Sequence, residues 1–255
     1  MRYLLKICYD GKAYSGWQKQ KNAKTVEGAI ESAMSLILGI SVDIYASGRT
    51  DAGVSALCQC AHFDCDQKLS SSFVGHINSI LPDDIRVLSI ETVNNDFHAR
   101  YNVKEKTYIY RFYQSKIALP VYDNNYTQIK TPINVDKFRD NMKQLIGTFD
   151  FSAFCASDTQ VVDKVRTIYS AQLIEDGSSY VFKITGNGFL YNMVRIIAGT
   201  LIDIASGKIS MSIEDIIRSK DRRLAGKTLS SKGLMLFEVK YWYIIWLKYI
   251  VDVII

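Results

Sequence analysis

The chain has 255 residues, of which 48% are apolar and 22% are charged, a composition typical of a folded globular protein and not of a disordered one. With 31 Lys and Arg against 26 Asp and Glu, the net charge is +5, a modest basic excess that is compatible with a polyanionic partner. Five scattered cysteines do not suggest a disulfide framework, so we expect a reducing, cytoplasmic location.

Alternating and helically spaced apolar residues divide the first half of the chain into elements. The predicted strands cover residues 3–9, 42–46, 57–63, 86–93 and 106–113, and the predicted helices cover 25–39 and 73–80. Thr25 is suited to cap the first helix and Gly39 to end it. The N-terminal strand has no apolar core followed by a cleavage site, so no signal peptide is expected.

The second half repeats this plan. We predict helices from Asp136 to Gly147, over 189–205 with Gly207 as C-cap, and over 212–219, and strands over 166–173, 180–185 and 234–241, the first two joined through Asp176-Gly177. The pattern indicates an α+β (mixed α/β) fold in which two halves, residues 1–104 and 105–241, share one sheet. Helices on one face and a cleft between the halves complete this prediction.

Residues 242–255 form an apolar tail that contains two charges, Lys248 and Asp252. A helix that crosses a bilayer needs roughly 20 apolar residues, and this run is shorter. We therefore expect the tail to pack on the body of the protein or on a second subunit, and expect no membrane partner.

Asp51 is the first candidate for chemistry. Gly48 and Gly53 allow the chain to turn tightly around it, and Arg49 supplies a cation that favours an ionised carboxylate. An Asp in such a loop more often forms an Asx turn or a structural salt bridge. The loop alone therefore leaves catalytic and structural roles open.

The sequence does not indicate a metal or a cofactor. Cys58, Cys60 and His62 alternate along one strand, but they lack the turn spacing and the second ligand pair of a zinc site, so buried thiols are favoured. The segment Gly186-Asn187-Gly188 lacks the third glycine of a dinucleotide fingerprint, and the P-loop pattern does not occur.

Basic and aromatic residues interleave in three segments, a combination that can bind phosphates and stack unpaired bases. These segments are residues 17–24, 104–113 and 218–232. In the second segment, Tyr108, Tyr110 and Phe112 share one strand face, and alternation does not decide which tyrosine faces a cleft. Arg195 lies within an apolar helical run, where a guanidinium must either find a carboxylate partner or reach solvent.

Together these segments resemble one family, the TruA-type tRNA pseudouridine synthases. The resemblance covers about residues 3–241 and runs in order through YDGKAYSGWQKQ (9–20), TVEGAIESA (25–33), GRTDAGVSA (48–56), FHARYNVKEKTYIYRF (97–112), GTFDFSAF (147–154), GFLYNMVRIIAGTLI (188–202) and AGKTLSSKGLMLFEVKY (225–241). It implies two pseudo-symmetric ferredoxin-like halves that share a mostly antiparallel sheet.

The resemblance also implies a function. The expected enzyme isomerises uridine to pseudouridine at positions 38–40 of the tRNA anticodon stem-loop, without metal or cofactor, and works as a cytoplasmic homodimer. The catalytic aspartate falls on Asp51 and the tyrosine that lies against the target base falls on Tyr108. Arg195 is expected to pair with the aspartate, and Arg49 to help hold the flipped nucleotide.

Two departures from the family pattern stand out. Ser55 occupies a position where many relatives have His, and Leu229–Lys232 replaces the common Ala-Pro-Pro-containing approach to the last strand. Both departures could alter which uridines are accepted. The alternative hypothesis is a catalytically silent or retargeted RNA-binding paralogue, which the presence of Asp51, Tyr108 and Arg195 disfavours.

Overall fold

The computed structural model describes residues 1–70, 72–156 and 161–242. The strands are β1 (Arg2–Tyr9), β2 (Tyr45–Ala46), β3 (Ser55–Asp64), β4 (Ile85–Val93), β5 (Val103–Gln114), β6 (Thr127–Ile129), β7 (Gly147–Asp150), β8 (Val165–Asp176), β9 (Ser179–Gly186) and β10 (Leu234–Tyr241). The helices are α1 (Val26–Leu38), α2 (Ser72–Ile80), α3 (Val135–Lys143), α4 (Met193–Ala205) and α5 (Ile213–Ser219).

All these strands join one sheet in the order β4-β1-β3-β10-β5-β9-β8-β7, with β2 beside β3 and β6 beside β5. The pairings are antiparallel except for β3 with β10 and β5 with β6. Within the first half, β1-α1-β2-β3-α2-β4 gives the order β4-β1-β3-β2, and β5-α3-β8-β9-α4-β10 gives the equivalent order β10-β5-β9-β8. Both halves are therefore ferredoxin-like βαββαβ units, which confirms the predicted fold class.

The helices pack on one face of the sheet and form two apolar cores. α1 and α2 cover β1, β3 and β4 in the first core, whereas α3, α4 and α5 cover β5 and β9 in the second. The halves meet where β3 and β10 pair in parallel over Ser55–Ala56 and Met235–Leu236. Tyr108 packs against both cores, so it marks the border between the halves.

Local signals determine most helix ends. Thr25 caps α1 by accepting a hydrogen bond from Gly28 N at 3.3 Å, and Gly39 ends the helix with φ 70°, as predicted. The predicted start of α4 at residue 189 is wrong, because Asn192 adopts a left-handed conformation with φ 59° and the helix begins only at Met193. The residues before it are thereby available to line a cleft.

Three further expectations concern boundaries. The predicted strand over 42–46 shortens to β2, because Ile44 N donates to Glu31 Oε1 at 3.2 Å instead of to a neighbouring strand. The division at residue 104 stays a prediction, and the tail beyond Trp242 lies outside the described residues.

Over the described part of the chain, no helix has the length and apolar character needed to cross a membrane.

Candidate active site

A cleft of about 1120 Å³ lies at the border between the two halves. The first half contributes the loop between β2 and β3, and the second half contributes β5 and residues 189–194 at the start of α4. Arg49, Asp51 and Tyr108 line the cleft, and Arg195 reaches Asp51 from α4. The four predicted site residues, far apart in sequence, therefore come together.

Bulky side chains of the first core fix the loop that carries Asp51. Thr50 O accepts a hydrogen bond from Trp17 N at 3.0 Å, and Thr50 Oγ1 bonds the buried hydroxyl of Tyr9 at 2.8 Å. Gly16 makes this approach possible, because its φ is +91° and a Cβ there would lie only 2.7 Å from Thr50 O. Asp51 thus follows a residue that is held on two sides.

The other end of the loop is held by side chains from the sheet. Gln59 donates from Nε2 to Gly48 O at 2.8 Å and accepts from Ser47 Oγ at 2.7 Å. Lys106 Nζ donates to Ser47 O at 2.6 Å. Burial, followed by the nearby charge of Arg100, lowers the pKa of Lys106 to about 8. Lys106 was not among the predicted site residues, although it lies two residues from Tyr108 on the same strand face.

Asp51 and Arg195 form an ion pair across the cleft. Asp51 Oδ2 lies 3.7 Å from Arg195 Nη1, and the two side chains are 30% and 18% exposed. Arg195 also donates from Nε to Leu229 O at 2.7 Å and from Nη1 to Asn192 Oδ1 at 2.6 Å. These partners matter because a cation near a helix N-terminus is disfavoured by the helix dipole. The carboxylate partner expected for Arg195 is therefore Asp51.

Tyr108 is the tyrosine of its strand that faces the cleft. Its ring meets the ring of Phe189 edge to face, with centroids 5.2 Å apart. In contrast, Tyr110 and Phe112 are buried in the second core, where the Tyr110 hydroxyl donates to Ser230 O at 2.8 Å. Burial raises the pKa of Tyr108, so its hydroxyl stays protonated at neutral pH.

Arg49 is exposed within the cleft. Its sequence neighbour Asp51 is paired with Arg195, and Arg49 forms no ion pair with any carboxylate of the described residues. The cation within ion-pair distance of Asp51 is therefore Arg195, which comes from the other half of the protein. The role of Arg49 beside Asp51 stays a prediction, and its guanidinium faces solvent at the site.

The two departures from the family pattern lie in different surroundings. Ser55 Oγ accepts from Gly11 N at 3.0 Å and donates to Asp10 Oδ1 at 3.3 Å, contacts that join the start of β3 to the turn after β1. Leu229, by contrast, supplies the carbonyl that binds Arg195. This role could not be predicted, since a backbone acceptor has no signature in its side chain.

Cys58, Cys60 and His62 do not form a metal cluster. Nowhere among the described residues do three or more His, Cys, Asp or Glu side chains converge in a way that could hold an ion. His62 Nδ1 instead accepts a hydrogen bond from Ala99 N at 3.1 Å, and Cys60 is fully buried in the first core. His62 thus takes part in the hydrogen bonding of the first half, and Cys60 in the packing of its core.

Comparison with known proteins identifies the family of the chain. A family model described as tRNA pseudouridine synthase matches residues 7–102 and 141–242. The chain belongs to this family. It is therefore an enzyme of the pseudouridine synthase class, an isomerase.

Curated relatives match over nearly their whole length. The chain is 42% identical over 240 residues to tRNA pseudouridine synthase A of Caldicellulosiruptor bescii, covering 93% of this chain and 98% of the relative. It is 42% identical over 246 residues to the protein of that name from Bacillus velezensis, covering 94% and 99%. The protein of that name from Halalkalibacterium halodurans is 45% identical over 235 residues, covering 91% and 89%.

Among solved structures, a chain of the archaeal box H/ACA sRNP Nop10-Cbf5 complex is similar at 12% identity and a TM-score of 0.37. The similarity covers 78% of this chain and 44% of that one. At this level the similarity supports no conclusion about the present chain.

Proposed function

We propose that this enzyme converts uridine to pseudouridine at positions 38–40 of the tRNA anticodon stem-loop, with Asp51 as the nucleophile. The observation that carries the proposal is the ion pair of Asp51 with Arg195 in a cleft lined by Tyr108. Membership of the tRNA pseudouridine synthase family supports tRNA as the substrate. The relatives' name, tRNA pseudouridine synthase A, agrees with this assignment.

The proposed reaction moves one glycosidic bond and one proton. An Asp51 oxygen attacks C1′ of the uridine, and the electron pair of the C1′–N1 bond leaves with uracil. After uracil turns in the site, C5 attacks C1′ and expels the Asp51 carboxylate. The released carboxylate then takes the proton from C5, and N1 takes up a proton, so substrate and product contain the same atoms. Neither bond change consumes water, metal or cofactor, whereas a glycosidase needs two carboxylates and a water.

Arg195 keeps the nucleophile ionised and oriented in this scheme. A guanidinium beside a carboxylate favours its charged form, and Leu229 O and Asn192 Oδ1 fix the guanidinium itself. The target uridine has to leave its stack to reach Asp51. The part of the Tyr108 ring that lines the cleft would hold the extruded base, and Arg49 would contact the flipped nucleotide.

The proposal also covers the location, the assembly and the macromolecular substrate of the enzyme. We expect the enzyme to act as a cytoplasmic homodimer, as the family resemblance implies, with tRNA as its macromolecular substrate. Three cations that line the cleft, Arg49, Arg100 and Lys106, can contact phosphates, because none of them forms an ion pair with a carboxylate of the described residues. Phosphate contacts of this kind make binding salt-sensitive.

The proposed positions can be tested with tRNA transcripts in which uridine is present only at position 38, 39 or 40 of the anticodon arm. Mapping pseudouridine in each transcript after incubation should show product at these positions and none at uridines elsewhere. Product at uridines outside the anticodon arm would contradict the proposed specificity. Tight tRNA binding without product at any position would favour the silent paralogue.

A further inference from the structure

A second group of aromatic side chains lies at the rim of the cleft. Tyr101 is 76% exposed, and its ring centroid lies 4.3 Å from that of His98. Tyr45 is 51% exposed and stacks on His62 at 5.2 Å, and the two imidazoles are 4.6 Å apart. We call Tyr45, His62, His98 and Tyr101 the aromatic rim. Two large rings are thus presented to solvent beside the cleft, on a support of two further rings.

The supporting rings are fixed and uncharged. His62 Nδ1 accepts a hydrogen bond from Ala99 N, and His98 Nδ1 accepts one from Arg100 N, both at 3.1 Å. Burial lowers the pKa of His62 to about 4 and also lowers the pKa of His98. Both imidazoles are therefore neutral at pH 7. The His98 ring contacts Tyr101, and the His62 ring contacts Tyr45 and His98.

The charge beside the aromatic rim is positive. The Arg100 guanidinium lies 5.9 Å from the centre of the Tyr101 ring, and its positive charge contributes to the lowered pKa of Lys106. Arg100 and Lys106 both line the cleft, and within the described ranges neither has a carboxylate partner. An exposed aromatic face next to two cations without an anionic partner is the combination that binds single-stranded nucleic acid.

We propose that the aromatic rim is a second nucleobase site, in which an unpaired base of the substrate RNA stacks on Tyr101 while Arg100 and Lys106 contact its phosphates. This inference rests on the proposed function, because the substrate is taken to be RNA. Tyr101 and Tyr108 are seven residues apart, at most roughly 25 Å of extended chain. Stacked bases rise about 3.4 Å each along one strand, so about seven stacked nucleotides span this distance.

Equilibrium binding of a tRNA transcript to the full chain tests this site with three variants. Tyr101→Ala should raise the Kd about 5- to 150-fold, the range for the loss of one base–aromatic stack. Tyr101→Phe should bind like wild type, because the ring is kept. Tyr169→Ala serves as the matched control, since Tyr169 is 47% exposed but does not line the cleft. A Tyr101→Ala protein that binds within twofold of wild type overturns the proposal.

A second RNA separates stacking from other effects of the substitution. A blunt-ended RNA duplex has no unpaired base, so Tyr101→Ala should bind it like wild type, whereas Arg100→Ala should weaken binding to both RNAs. Equal weakening of duplex and tRNA binding by Tyr101→Ala would contradict base stacking. These binding results can be told apart from failure of the proposed function. A wild-type protein that shows this binding pattern but forms no pseudouridine would refute the proposed function and leave the second nucleobase site intact.

Discussion

Replacing Arg195 by Met removes the cation that faces Asp51 while keeping an unbranched side chain of similar reach. At the observed 3.7 Å separation, Coulomb's law gives about 4.5 kcal/mol at an effective dielectric constant of about 20 and about 1.1 kcal/mol in bulk water. The side chains are 18% and 30% exposed, so the relevant value lies between these limits. If Arg195 positions Asp51 for attack, a loss of about 2 kcal/mol in the stabilisation of the transition state corresponds to about 30-fold in rate.

Single-turnover formation of pseudouridine in tRNA is the appropriate assay, with circular dichroism to confirm folding. Arg195→Lys should fall between wild type and Arg195→Met, because it keeps the charge but not the geometry that binds Leu229 O and Asn192 Oδ1. Arg222→Met is a matched control, since Arg222 also donates to backbone carbonyls but forms no ion pair with a carboxylate of the described residues. A rate for Arg195→Met within threefold of wild type, or an equal loss in Arg222→Met, would refute the reasoning.

Further predictions concern neighbouring groups. The pKa of Lys106 is lowered to about 8, so its positive charge is lost as the pH rises through that value. The affinity for tRNA, measured by filter binding, should therefore fall between pH 7 and 9. Lys106→Met should flatten this pH dependence. Tyr108→Phe should retain most of the activity, whereas Tyr108→Ala should lose about 5- to 150-fold in kcat/KM, because the ring and not the hydroxyl holds the base. Gly16→Ala should lower activity and Tm more than Gly39→Ala. Both glycines have positive φ, but only at Gly16 would an added Cβ meet Thr50 O. Equal losses in the two variants would contradict this account.

Local signals in the sequence predicted most of the elements. Alternation located β1, β5 and β10, and the Thr25 cap and Gly39 gave both ends of α1. The order of strands in the sheet could not be obtained from such patterns, because the halves are joined by the short parallel pairing of β3 with β10. The start of α4 was predicted too early, since apolar spacing does not reveal the left-handed conformation of Asn192.

The candidate site was predictable only in part. The apolar run around Arg195 left two possibilities open, a carboxylate partner or an approach to solvent, and the structure shows Asp51 as its partner. Proximity in sequence pointed to Arg49, but chain neighbours in a loop need not face each other. Lys106 could have been found from its strand face, which it shares with Tyr108. The role of the Leu229 carbonyl could not have been predicted, because it depends on the backbone alone.

The central claim is that Asp51 is the nucleophile of a pseudouridine synthase. Tritium release from tRNA labelled at uridine C5 follows the proton that the reaction removes, and Asp51→Asn keeps the size of the side chain while removing its charge. We expect wild type to release tritium and Asp51→Asn to release none above background, although both bind tRNA. Release by Asp51→Asn at the wild-type rate would contradict the mechanism.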